Sequence, residues 1–304
     1  MLFKNIVAYE LDKGAFPDSA EAFSDLLRPL AFTPLLGSEE RRIGFAPPCE
    51  ASDELVVSLG GDGYALSLRT DKKTIPASTL KRLVKEKADA IEQTDGYKPG
   101  RKQLKEIKKD LMHELLPKTL PATSSLFIII KGQTLFIGAS SVNAADNAVG
   151  IILSALKGIG LAFPFSVNLP KHMTQWLLDD HVSDVLTVGD FALLEGGGAS
   201  VQWKNQEAEA SELAKHINEG GKEAAKIGLE YRAQGSGLDP LSFCISAKGI
   251  ISQIKVHESD DDIDSDEDAD SDPMSQFLSN AAITASVSDA LVSGIKDALG
   301  DNDM

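Results

Sequence analysis

The segment PASTLKRLVKEKADAIEQTDGYKPGRKQLKEIKKDLMHELLPK, residues 76–118, decides how the rest of the chain is read. Its apolar residues recur at helical spacing in two runs. Leu80, Leu83, Val84, Ala88 and Ile91 share one face of a helix that reaches about Thr94, with Ser78 as its N-cap. Asp95-Gly96 and Pro99-Gly100 interrupt the pattern. It resumes from Arg101 to about Leu116, with Leu104, Ile107, Leu111 and Leu115 on one stripe, and Pro117 stops it. Two helices joined by a short turn predict a protruding αα-hairpin.

Charge singles out the same segment. Between Lys72 and Lys118 there are thirteen basic and seven acidic residues, whereas the whole chain of 304 residues carries a formal net charge of −16. One limb is therefore net positive and the remainder strongly negative, so the two regions face different partners. On the second helix, at ~100° per residue, Arg101, Lys102, Lys105, Lys108 and Lys109 fall in one sector beside the apolar stripe. Glu106, Asp110 and Glu114 fall on the other flank. Such sorting offers a row of cations to phosphates while the leucines hold the helix to the body. On the first helix and its flanks the candidate DNA contacts are Lys72, Lys73, Lys81, Arg82, Lys85 and Lys98, with Lys118 beyond the second helix. Arg69 and Arg41-Arg42 extend the region, the latter beside Glu39-Glu40. Aromatic residues are 6% of the chain and none interleave with these lysines, which favours duplex over single-stranded nucleic acid. A lysine row without Asn or Gln toward base edges contacts phosphates, so binding is expected to be independent of base sequence.

Outward from this limb the chain reads as α+β, mostly antiparallel. A strand over 2–11 precedes a helix over about 18–28 that Pro29 ends. Alternating residues on both sides of Gly60-Gly61-Asp62-Gly63 predict a β-hairpin, which a phosphate-cradling loop, needing a following helix, would not show. Two strands surround Lys131-Gly132-Gln133, and a helix is expected over about 143–157. Strands follow at 162–168, 185–194 and 201–206, with helices near 174–179 and 208–219, and then a meander through 225–231, 241–245 and 250–256. Glu258 to Asp272 holds ten carboxylates and reads as an acidic linker. Beyond it, 277–299 is apolar at helical spacing. The expected divisions are 1–75, 76–118, 119–257, 258–273 and 274–304.

Several function classes are disfavoured. With 42% hydrophobic residues the chain buries a real core, and its apolar runs fall well short of the roughly 20 residues that cross a bilayer. Met1 to Leu11 reads as a strand and not as a leader, which predicts a cytoplasmic location. Cys49 and Cys244, far apart and in apolar surroundings, are expected to be buried thiols with no disulfide or thiolate metal site. His113, His172, His181, His216 and His257 lack metal-ligand spacing. The aspartates of 260–272 offer no register with both the glycine and the glutamate of a calcium loop. No serine-nucleophile elbow or Walker loop is present, so neither a catalytic residue nor a cofactor is expected. Trp176 and Trp203 are read as core or interface residues.

The order of motifs resembles the RdgC family of bacterial recombination-associated proteins. The marks are Phe3-Lys4-Asn5, Ala31-Phe32-Thr33-Pro34, Gly44 with Pro47-Pro48, Pro76, and Leu115-Leu116-Pro117-Lys118. Later come Thr174 with Trp176, Phe191 to Glu195, and His216-Ile217 near Gly221-Lys222. The resemblance implies a curved subunit forming a ring-shaped homodimer whose positive central hole admits duplex DNA. It also implies a nucleoid-associated protein that binds DNA without sequence preference, restrains RecA-mediated recombination, supports replication forks and has no catalysis. One implied dimer contact lies at Leu120, where an aromatic residue is usual, and a second near Lys204 and Gln206. Two other readings compete: an interaction module whose basic helices dock an acidic partner or the chain's own acidic tail, and a metal-dependent nuclease.

Overall fold

The computed structural model describes residues 2–156, 158–165, 168–204, 210–233, 238–257 and 272–300. In chain order its elements begin with β1 (Asn5–Leu11), α1 (Ala20–Leu27), β2 (Arg41–Ala46), β3 (Val56–Gly60), β4 (Gly63–Lys72), α2 (Ala77–Asp95) and α3 (Arg101–Leu115). Next come β5 (Ala122–Lys131), β6 (Thr134–Ile137), α4 (Val142–Leu156), β7 (Leu161–Ala162), α5 (Leu169–Asp179), β8 (Leu186–Gly196) and β9 (Ala199–Lys204). The remainder is α6 (Ala210–Ala214), β10 (Glu223–Tyr231), β11 (Leu241–Ser246), β12 (Ile251–Val256) and α7 (Pro273–Gly300). The chain is α+β with a mostly antiparallel arrangement of strands, as its alternation implied.

Two compact units form. The first gathers the described residues within 1–27, 47–66 and 126–304, and the second 28–46 and 67–125, so β4 and β5 each supply residues to both.

In the first unit, β1 pairs with β12 through Asn5 and Ile6 and with β6 through Val7 to Glu10. From β12 the order runs through β11, β10 and β8 to β9, all antiparallel. Alternation puts Ile227, Leu229 and Tyr231 of β10 into the core together with Phe243 and Ile245 of β11. α7 lays Phe277, Ala281, Leu291 and Ile295 on the same core, and Lys131–Asp289 (2.7 Å) and Lys296–Glu10 tie it down. Trp176 and Trp203 belong to this core. Cys244 is buried and Cys49 half-buried, and burial pushes the Cys244 thiol pKa up. Ala224, paired with Leu194 just before a register shift of β10, is buried, and its N–H donates to Thr174 Oγ1 at 2.9 Å. Thr174→Val leaves that N–H unsatisfied and is expected to cost about 1–3 kcal/mol, read by urea unfolding.

In the second unit, β2 pairs with residues 67–72 of β4. The Phe32 N–H donates to the Phe45 carbonyl at 2.7 Å, and a Cβ on Gly44 would come within 2.6 Å of Phe32 Cα, which accounts for a glycine there. Arg69 stacks over the Phe32 ring at 4.4 Å and grips Asp71 through two bonds of 2.9 and 3.1 Å. Thr123 of β5 donates to the same carboxylate at 2.8 Å. These partners hold the Asp71 carboxyl below the usual carboxylate range, the Arg69 hydrogen bonds first among them.

Four local expectations are revised. Ser78 does not cap α2, because Pro76, whose ring fixes φ at −55°, stands at that position and makes no side-chain cap. Among the described residues of the strand expected over 162–168 only Ala162 pairs, and Phe163 and Phe165 leave the ladder with their rings packed edge-on at 5.6 Å. α5 starts at Leu169, five residues before the expected Thr174, since Pro170 in its first turn is tolerated where no intrahelical N–H is needed. The helix expected up to Glu219 is α6 followed by a π-helical turn, Lys215–Glu219.

Candidate nucleic-acid interface

α2 and α3 pack on each other within the second unit and are joined by residues 96–100. Gly96 ends α2 at φ +76°, a left-handed conformation that side chains resist, and its N–H donates to Glu92 O. Gly100 starts α3, with its N–H on Gln103 Oε1 at 3.3 Å, while Gln103 Nε2 donates to the Tyr97 hydroxyl at 3.0 Å. Leu111 is buried, and Leu104, Ile107 and Leu115 are half-buried on the stripe the sequence assigned to them.

The expected cations divide into three groups. Lys72, Lys81, Lys85, Arg101, Lys102, Lys105, Lys108 and Lys109 are exposed, and none has an ion-pair partner among the described residues. Arg82, Lys98 and Lys118 are exposed but paired, with Glu86 at 2.6 Å, Glu92 at 3.7 Å and Glu114 at 3.3 Å. Lys73 stands apart: it is buried, and its ammonium donates to the Gly37 carbonyl at 3.0 Å. Its period-two relation to Asp71 on the inward face of β4 was the sequence signal for that burial. Lys87 pairs across the helices with Glu114 at 3.5 Å, and Lys118 and Lys87 together hold the Glu114 carboxyl below its ordinary range.

Five of the eight unpaired cations lie on α3 within ~12 Å of helix axis. No acid occupies the first turn of α3, where Arg101 and Lys102 oppose the helix dipole. Cations there cost a helix a few tenths of a kcal/mol each, so these two do not serve helix stability.

Of the expected dimer contacts, Leu120 is 88% exposed, unusually open for a leucine, and Lys204 is exposed at the end of β9. Gln206 and the acidic stretch 258–271 lie outside the described residues. Among the described residues no group of three or more His, Cys, Asp or Glu side chains could hold a metal ion, and no helix is long and apolar enough to cross a membrane.

A family model described as "Putative exonuclease, RdgC" matches residues 1–302. The chain is 28% identical over 273 residues to the recombination-associated protein RdgC of Proteus mirabilis, covering 86% of this chain and 87% of that one. It is 30% identical over 260 residues to the protein of the same name from Cupriavidus pinatubonensis, covering 84% of each. The Herminiimonas arsenicoxydans protein, also so named, is 30% identical over 260 residues, covering 84% of this chain and 83% of that one.

Proposed function

The chain belongs to the RdgC family of recombination-associated proteins, and on that premise we propose that it is a non-enzymatic binder of duplex DNA that grips phosphates without reading sequence. The observation that carries this reading is the row of five exposed, unpaired cations on α3 in a chain of net charge −16. In an acidic protein, scattered cations are neutralised by nearby carboxylates, whereas an unpaired row keeps a local field that attracts polyanions. α2 adds Lys81 and Lys85, and β4 adds Lys72. Arg82, Lys98 and Lys118 can exchange a solvated carboxylate for a phosphate at little cost, because exposed pairs are worth only about 0–1 kcal/mol.

The finer reading is a homodimeric ring that encircles the duplex through its protruding basic helices, closed at Leu120 and near Lys204 and Gln206. Such a ring restrains RecA-mediated recombination and supports replication forks from the nucleoid. Two-fold closure doubles the cation row around one duplex. Leu120, 88% exposed, is open to such a contact.

Duplex affinity measured against salt tests the grip. It should fall with a slope near −0.9 per neutralised phosphate, and a flat dependence would refute it. The description of the family model as an exonuclease supplies the competing reading. Incubating plasmid and linear duplex with magnesium or manganese decides between them, because shortening of linear ends would establish the nuclease. Lys73→Met separates structural from binding cations: it should lower stability by about 1 kcal/mol and leave the salt slope unchanged.

A further inference from the structure

The fold of the second unit contains a like-charged pair that its own stability does not explain. Arg41 opens β2 and Lys72 closes β4, and the two are direct partners in the antiparallel register. Partners so placed leave the sheet on the same face, and like charges directly opposite one another destabilise the pairing. Both residues are exposed, and no carboxylate among the described residues forms an ion pair with either.

Of the nearby acids, Glu39 and Asp71 are committed elsewhere, and the exposed Glu40, whose carbonyl accepts from the Lys73 N–H, falls by alternation on the opposite face from Arg41. Glu39 accepts hydrogen bonds from the Leu36 N–H, at 3.0 Å, and from Arg42. Asp71 is held by Arg69 and Thr123. Arg42 and Asp71 are register partners one step along, and alternation puts them on the opposite face from Arg41 and Lys72. This strand pair therefore sorts its charges, with Arg42, Asp71 and Arg69 on the face that holds the carboxylate and two unneutralised cations on the other. Thr70, two residues before Lys72, shares the cationic face.

We propose that Arg41 and Lys72 form a two-cation clamp for one phosphate of a polynucleotide backbone, carried by the sheet and separate from the row on α3. A phosphate between them replaces a repulsion by two charge-assisted hydrogen bonds. The clamp extends the DNA grip proposed above and rests on it for the source of the phosphate. The like-charge geometry that makes an anion site does not depend on that reading.

The test uses the full chain and the variants Arg41→Gln, Lys72→Gln and the double. In low-salt buffer without phosphate, each single change should raise the thermal midpoint by about 1–2 °C, because it removes the repulsion. Inorganic phosphate should raise the wild-type midpoint beyond chloride of equal ionic strength, and that increment should vanish in the variants. With duplex DNA the double variant should show a salt slope smaller in magnitude by about 0.9. If wild type binds duplex steeply with salt but the variants match it in midpoint, phosphate response and slope, the clamp is refuted while the grip through α3 stands. If wild type does not bind duplex at all, the grip is refuted and the polynucleotide assignment with it, whatever the phosphate response.

Discussion

Replacing Arg101, Lys102, Lys105, Lys108 and Lys109 together by glutamine should remove most of the duplex affinity while leaving the fold intact. Each cation that neutralises a phosphate contributes about −0.9 to the slope of log affinity against log salt, so the quintuple variant should lose up to about 4.5 of that slope. By the same relation, five such contacts correspond to a change of about 500-fold in affinity between 50 and 200 mM salt. The loss should be similar for unrelated duplex sequences, since phosphate contacts position a protein without reading bases. Fluorescence anisotropy of a labelled duplex over a salt series measures both quantities. The fold should survive because all five side chains are exposed and glutamine is a good helix former. Removing Arg101 and Lys102 from the first turn of α3 also relieves their opposition to the helix dipole. An unchanged affinity with an unchanged circular dichroism spectrum would assign the α3 row to solvation alone.

The second large effect concerns stability. Asp71→Ala should destabilise the second unit by about 3 kcal/mol, near the lower end for breaking a buried ion pair, because the Asp71 side chain is 5% exposed and that of Arg69 is 39% exposed. The change leaves Arg69 without its carboxylate and Thr123 without its acceptor, and it loosens the guanidinium stacked on Phe32. The same carboxylate predicts an acid limb. Its pKa is depressed in the folded chain by Arg69 and Thr123, so its stabilisation is present above the unfolded-state value of about 3.9 and is lost as pH falls through the lower folded value. Asp71→Asn should therefore cost stability at pH 7 and progressively less as the pH is lowered through and below 4. Urea unfolding at pH 7, 5 and 3 follows this, and a penalty independent of pH would show that the ion pair carries none of the stability.

Much of the fold is legible in the sequence because its determinants are local. Period-two alternation marks β10 to β12, whose ladder follows from that pattern, and left-handed Gly60 and Gly61 turn the chain between β3 and β4. The discontinuous second unit is not legible. Residues 28–46 and 67–125 join through the pairing of β2 with β4, and pairing between distant segments leaves no periodic trace in either. Phe163 and Phe165, expected in the strand at 162–168, depart from it for a similar reason: their rings pack edge-on against each other, a contact that period-two alternation does not reveal.

For the interface, the sequence by itself determined that positive charge gathers on two successive helices and that α3 sorts lysine from glutamate. Both follow from helical period and composition within about forty residues. Only the tertiary structure decided which of those cations remain available. It buries Lys73 on the Gly37 carbonyl, spends Lys87 on Glu114 across the helix pair, and sets Arg41 opposite Lys72 with no acid between them. The reason is that a charge's availability depends on its nearest partners in space, and for these residues the partners are up to thirty-six positions away along the chain.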